Sequence, residues 1–245
     1  MKIFYTELAS FWPLISPVEE YAGEAAEFAR VLSRALPGAR TLLELGSGGG
    51  HNGYYLKHRF ELLLTDLSAE MVEASKRLNP GCDHLIGDMR TLRLGRTFDA
   101  VFVHDAIHYM TTEEDLAAAI TTAAQHCRPG GVALFVPDVT TESFAPGSSC
   151  DGHDAPDGRG VRYLEWTYDA DPTDSFASTH FAFIVREADG TMRTLSETHD
   201  FGLFPEATWV RLLGEAGFET EVVVEETDEE RPPRRMFLGR RRQPQ

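Results

Sequence analysis

The sequence predicts an α/β fold: a doubly wound, seven-stranded, mostly parallel sheet with a small antiparallel β insertion after the fifth strand. Three observations carry that expectation. Apolar runs at residues 41–45, 61–67, 82–87, 98–103 and 132–136 have strand length, and continuous apolar runs suit strands buried on both faces. Helical patterns fill the intervals between them, and strands alternating with helices at this spacing build a parallel sheet. A glycine-rich turn, Gly46-Ser47-Gly48-Gly49-Gly50, follows the first run and lets the backbone bend sharply against a ligand.

Each element has its own signal. Residues 18–36 place Val18, Tyr21, Ala25, Phe28 and Leu32 at helical spacing, opened by Pro17 and closed by Pro37-Gly38. Tyr54, Tyr55, Leu56 and Lys57 suggest a short helix after the glycine turn. Ser68 caps a helix running to Leu78, with Glu70 and Glu73 in its first turn, and Asn79-Pro80-Gly81 stops it. Residues 111–127 form a helix with an acidic start, ended by Arg128-Pro129-Gly130-Gly131. The alternation then breaks. Residues 139–204 open with a turn-rich loop and continue as alternating stretches at 163–168, 178–186 and 192–201. The last two are joined by Asp189-Gly190, a hairpin signal. This reads as an antiparallel insertion within one domain spanning residues 1–245. A helix at 205–216 and strands at 218–224 and 235–240 complete the sheet. Residues 1–16 carry Phe4, Tyr5, Phe11 and Trp12 among few charges, which suits either a lid over the pocket or cover for a sheet edge.

At 245 residues, one large domain is favoured over two small ones. No stretch reaches the ~20 apolar residues of a membrane helix, and the N-terminus is a poor signal peptide. Cys82, Cys127 and Cys150 are odd in number and lack C-x-x-C spacing, which argues against disulfides and a zinc site. A reducing cytoplasm is the expected location. Acids outnumber bases 39 to 23, a net charge of −16, so the chain is repelled by phosphate backbones. Its basic clusters at 234–235 and 240–242 follow the acidic run at 225–230 and read as solvated surface. The expected partner is a small-molecule acceptor, with no nucleic acid and no membrane, and the expected assembly is a monomer or homodimer.

The glycine turn lies at the carboxyl end of the first strand, where open α/β sheets bind ligands. Two features oppose a dinucleotide. Glu44 would repel a pyrophosphate, and in the register starting at Gly46 the last glycine of the fingerprint is replaced by His51. A cationic or neutral ligand fits better. The stretch Glu44-Leu45-Gly46-Ser47-Gly48-Gly49-Gly50 resembles the first motif of the class I S-adenosylmethionine-dependent methyltransferases, an acid followed by x-G-x-G-x-G. The likeness extends over nearly the whole chain, to the closing helix and antiparallel pair. It implies the Rossmann-like methyltransferase fold with S-adenosyl-L-methionine as cofactor. The implied cofactor residues are Glu44, Gly46 and Gly48 at the methionine part, Asp66 at the ribose, Asp88 with Met89 at the adenine, and also Ser47, Leu67 and His104. Asp66 is also readable as a helix cap, a role that Ser68 fills better.

Within that superfamily the chain resembles small-molecule N-methyltransferases of the deoxysugar-amine type. The shared stretches are Tyr21-Ala22-Gly23-Glu24-Ala25, Gly87-Asp88-Met89-Arg90, Leu92-Arg93-Leu94-Gly95-Arg96 and Glu142-Ser143-Phe144. It departs from them where the acceptor sits, with Val103-His104-Asp105-Ala106 in place of a serine-rich stretch and Pro137-Asp138-Val139 in place of an acid-proline-tryptophan segment. Methyl transfer from a sulfonium is an in-line displacement that asks mainly for alignment. A base is needed where the acceptor arrives protonated, and histidine is suited by its pKa near 6.5. The catalytic candidates are His104 or His108, with Asp105 orienting. Tyr109, Trp166 and His199 are the candidate acceptor contacts. Two histidines without a third ligand at defined spacing argue against a metal. The expected acceptor atom is an amine nitrogen, with O-methylation of a carboxylate or hydroxyl as the alternative. A nicotinamide-dependent oxidoreductase and a non-catalytic cofactor-binding protein are more remote readings.

Overall fold

The computed structural model describes residues 2–226 and 232–243; the acidic run at 225–230 lies outside them from residue 227 onward. The strands in chain order are β1 (Thr41–Leu45), β2 (Glu61–Asp66), β3 (Asp83–Ile86), β4 (Phe98–Val103), β5 (Cys127–Phe135), β6 (Gly147–Asp151), β7 (Gly160–Tyr168), β8 (Phe176–Arg186), β9 (Met192–Gly202), β10 (Phe218–Val224) and β11 (Arg235–Arg241). The helices are α1 (Trp12–Ile15), α2 (Ala22–Ala35), α3 (His51–Leu56), α4 (Ala69–Leu78), α5 (Glu113–His126) and α6 (Glu206–Glu215). Seven strands form one sheet in the order β10-β11-β5-β4-β1-β2-β3. The first five pair in parallel, and β11 runs antiparallel to both β5 and β10. The order reverses between β1 and β4, so a crevice opens at their carboxyl ends, the usual ligand position.

Both faces of this sheet are covered, which explains the unbroken apolar runs. Leu43, Leu45, Val101 and Val103 pack with Leu116 and Ile120 of α5 and with Trp209 and Leu213 of α6. Their neighbours Leu42, Leu64, Phe102 and Leu134 point to the opposite face, against Phe28, Val31 and Leu32 of α2. Local caps set the helix starts. The Ser68 hydroxyl accepts the Met71 N–H at α4, and the Thr112 hydroxyl accepts the Asp115 N–H at α5, as the sequence signals require.

Strands β6–β9 make a second, wholly antiparallel sheet, the expected insertion between β5 and α6. Its inner face presents Val161, Phe181, Phe183 and Val185 to Phe4, Leu8, Phe11 and Ile15 of the N-terminal segment. That segment therefore covers a sheet face rather than an edge. Three local expectations are corrected. The helix expected over 18–36 begins as a 3₁₀ turn at Val18–Tyr21 and turns α-helical only at Ala22. The short helix after the glycine turn starts at His51, not at Tyr54. Strand β6 falls inside the expected loop, because its five residues are all exposed and carry no apolar alternation. No helix among the described residues is long and apolar enough to cross a membrane.

Candidate active site

A cavity of about 1020 Å³ opens at the carboxyl ends of β1, β2 and β4 and is walled on the other side by the N-terminal segment and the second sheet. At one end it is shaped by main chain. Gly46, at φ +75°, approaches the turn after β4 so closely that an added Cβ would lie 2.4 Å from the Ala106 Cβ and 2.7 Å from the Met89 Cε. Only glycine fits there. The Gly46 and Ser47 N–H groups both donate to the Thr65 carbonyl at 2.8 Å. The Gly48 N–H donates to Asp66 Oδ2 at 2.8 Å, and the Ser68 N–H donates to Asp66 Oδ1 at 2.9 Å. Asp66 thus ties the glycine turn to the end of β2 while lining the cavity. Burial raises its pKa and these N–H bonds oppose the rise.

Glu44 is 2% exposed, and its Oε2 has no hydrogen-bond partner among the described residues. Burial pushes its pKa to about 8, with Asp66 and Glu24 adding to the effect and His104 opposing it. Asp88 lines the cavity but is gripped by Arg90, Nη2 to Oδ2 at 2.7 Å, which holds its carboxyl below the usual range. The same Arg90 reaches Asp115. Leu67, 54% exposed, and Met89 also line this end.

The opposite end is built from charged and phenolic side chains. Asp105, Asp138 and Glu165 reach it from the turn after β4, the loop after β5 and strand β7, and Tyr5 and Tyr109 line the cavity as well. Behind the carboxylates lies a buried ion cluster. Arg234, only 12% exposed, meets Glu24 at 2.8 Å, Asp138 at 3.0 Å and Glu225 at 3.5 Å. This corrects the reading of the 234–235 cluster as solvated surface: Arg234 has distant acidic partners and is enclosed by them. Burial raises the pKa of Asp138, with Asp105 adding to it, and burial likewise raises Glu165.

A family model described as a methyltransferase domain matches residues 42–131. The dTDP-3-amino-3,4,6-trideoxy-alpha-D-glucopyranose N,N-dimethyltransferase of Streptomyces venezuelae is 30% identical over 205 residues, covering 83% of this chain and 85% of the relative. The structure of a sugar N-methyltransferase from Streptoalloteichus, 29% identical, superposes with a TM-score of 0.82 over 94% of this chain and 91% of that one. An S-adenosylmethionine-bound amino pentose methyltransferase from Micromonospora echinaspora, 27% identical, gives 0.75 over 89% and 90%. The chain belongs to the S-adenosylmethionine-dependent methyltransferases. Its fold, enzyme class and cofactor are those expected from the Glu44–Gly50 motif, which sets aside the nicotinamide reading. The residues present fit the cofactor: a cradle that a Cβ would fill at Gly46, and beside it the Glu44 oxygen without a partner, suited to a cation.

The methyltransferase places most of the expected site residues on this cavity and leaves three of them off its wall. Glu44, Gly46, Gly48, Asp66, Leu67, Asp88, Met89, His104, Asp105, His108 and Tyr109 line it. Ser47 does not; it anchors the turn from behind. Trp166 is 57% exposed and points away, since alternation along β7 turns Glu165 and Thr167 inward. His199 is fully buried beneath Tyr109 rather than on the cavity wall.

Neither catalytic candidate offers a free base. His104 Nε2 stands 2.9 Å from Asp105 Oδ1 and 3.8 Å from Glu24 Oε2, an ion pair rather than an aligned hydrogen bond. Burial alone would depress its pKa; Asp105 and Glu24 outweigh that and raise it to about 9, so the ring is cationic at neutral pH. A cationic His104 with Arg234 nearby also opposes a metal at the His104, Asp105 and Asp138 cluster. His108 Nε2 accepts the Asp138 N–H at 2.8 Å, which leaves the proton on Nδ1. Sequence reasoning missed Asn52, whose side-chain nitrogen lies 3.2 Å from His104 Nδ1, and missed Asp138 as a wall residue.

Proposed function

We propose that this methyltransferase N-methylates a small-molecule amine of the amino-sugar kind, held with its nitrogen toward Asp105, Asp138 and Glu165. The acidic acceptor end is the observation that carries this reading. Asp105, Asp138 and Glu165 line that end, and among the described residues the cations placed against them are His104 beside Asp105 and Arg234 beside Asp138, so carboxylates outnumber cations there. At an effective dielectric of about 20, a carboxylate attracts a cation about 4 Å away by about 4 kcal/mol before desolvation is counted. The relatives' amino-sugar acceptors support the same chemistry.

The cofactor, when bound, supplies a methyl group activated on a sulfonium. This chain's residues do the rest. Glu44 faces the cationic methionine part, Asp66 accepts the ribose hydroxyls, and Asp88 with Met89 flanks the adenine. The carboxylates hold the acceptor nitrogen in line with the reacting carbon, which is the main source of acceleration for such a displacement. The test uses methyl-deuterated S-adenosylmethionine with a panel of amino sugars, amines, carboxylic acids and phenols, read by mass. A label on nitrogen that survives mild base is expected. A base-labile ester label alone would replace the amine with a carboxylate acceptor.

A further inference from the structure

Two phenols on the cavity wall are joined to a buried histidine and glutamate that no step above uses. The Tyr109 hydroxyl donates to the Tyr5 hydroxyl at 2.8 Å and lies 2.7 Å from His199 Nδ1. His199 Nε2 in turn faces Glu197 Oε1 at 2.9 Å. Glu197 is itself fixed, accepting the Ile3 and Phe4 N–H groups at 3.0 and 2.7 Å. The same N-terminal segment is pinned beside Asp66 by the Ser68 hydroxyl donating to the Tyr5 carbonyl at 2.7 Å. Tyr5 and Tyr109 line the cavity, whereas His199 has no exposure at all.

We infer that Tyr5, Tyr109, His199 and Glu197 form a proton exit for the acceptor nucleophile. The inference rests on an acceptor that must lose a proton, as the proposed amine does. In the resting relay the Tyr109 hydroxyl turns from Tyr5, to which the structure has it donating, to His199 Nδ1 at 2.7 Å; Tyr109 then accepts from Tyr5, and the Tyr5 oxygen faces the acceptor N–H. The nitrogen's proton passes to Tyr5, the Tyr5 proton to Tyr109, and the Tyr109 proton to His199 Nδ1. The freed nitrogen pair forms the new N–C bond as the C–S bond breaks, its electrons going to sulfur. The end state has Tyr109 donating to Tyr5 and an imidazolium facing Glu197, the donor direction that the structure shows between the two phenols.

The surroundings agree. Burial holds both phenols well above their usual range, so they conduct a proton without becoming tyrosinates. Burial also lowers His199, keeping it neutral and able to accept, although Glu197 and Asp200 raise it and Lys2 lowers it further. Phe4, Phe181 and Phe201 complete the ring's contacts and carry no charge. Tyr5 is the catalytic residue of this set; Tyr109, His199 and Glu197 act through it.

The experiment compares single-turnover methyl transfer across pH in the wild type, Tyr109→Phe and His199→Gln. Tyr109→Phe keeps the ring and its packing. Cofactor affinity by calorimetry and melting temperature show that each variant is folded. The expected result is a rate lowered by about 10²-fold in each, the usual scale for losing a proton acceptor. The acid limb of the wild-type profile disappears in His199→Gln, and the double variant is no slower than the slower single, as for residues acting as a unit. Wild-type rates with intact cofactor binding would overturn the inference, and so would lowered rates with the acid limb unchanged. The relay takes a proton from a hydroxyl as well as from an amine. Label on oxygen alone would therefore defeat the amine reading while the same variants still judge the relay.

Discussion

The two ends of the cavity are made of different material. The cofactor end is main chain held by a local turn: Gly46 and Gly48 at φ +75° and +52°, with three successive N–H groups tied to Thr65 and Asp66. The proposed acceptor end is a set of side chains from distant segments, with Asp105, Asp138 and Glu165 on the wall, His104 beside Asp105, and Arg234 and Glu24 behind them. A backbone turn tolerates change in charge but not in shape, because a single Cβ at Gly46 meets Ala106. A charge cluster has the reverse tolerance, because removing one ion leaves its partners buried and uncompensated. On the proposed reading the fixed group is carried by the rigid end, and the variable acceptor by the end that side-chain substitution can retune.

That contrast ranks the expected effects. Arg234→Ala strips a shared guanidinium from Glu24, Asp138 and Glu225 and is expected to cost about 3–5 kcal/mol in urea unfolding. A cost below that of an ordinary surface change would mean that the cluster is not mutually compensated. Next is proton linkage at Glu44. The unfolded side chain ionises near 4.5 and the folded one near 8. The native state therefore binds the extra proton in between, and this group's contribution to the cofactor-free protein's stability falls as pH rises from about 4.5 to about 8. A cationic ligand favours the carboxylate, so cofactor binding at neutral pH releases a proton. Calorimetry in buffers of different ionisation heat reads that release, and identical heats in all buffers would remove Glu44 from the cationic site. The smallest effect is expected at Trp166→Ala, within about 0.5 kcal/mol of stability and with an unchanged acceptor KM, because the ring faces away from the cavity.

What the sequence revealed follows the same division. Glu44, Gly46, Asp66 and Asp88 were legible because strand ends and glycine turns are local, and successive strands of a parallel sheet bring their ends together. The acceptor end was not. His104 and His108 suggest a base by residue type, yet what each ring nitrogen can do depends on Asp105, Glu24 and the Asp138 N–H, which only tertiary structure assembles. Glu165 and Trp166 obey strand alternation, but the pattern does not say which of two polar-edged faces turns inward. Arg234 stood in an arginine-rich tail, and nothing local signalled that Glu24, two hundred residues earlier in the chain, would enclose it. Strand β6 had no pattern to read, being an exposed edge of glycine, serines, cysteine and aspartate.

The most direct test of two ends with separate tasks pairs Asp66→Ala with Asp138→Asn, measuring cofactor affinity by calorimetry and acceptor KM by labelled methyl transfer. Asp66→Ala is predicted to weaken S-adenosylmethionine by about 1–3 kcal/mol, the worth of hydrogen bonds to a charged group, and to leave the acceptor KM in place. Asp138→Asn is predicted to raise the acceptor KM and leave cofactor affinity unchanged. An Asp138→Asn variant that loses cofactor affinity as Asp66→Ala does, or an Asp66→Ala variant that binds cofactor normally, would contradict the account.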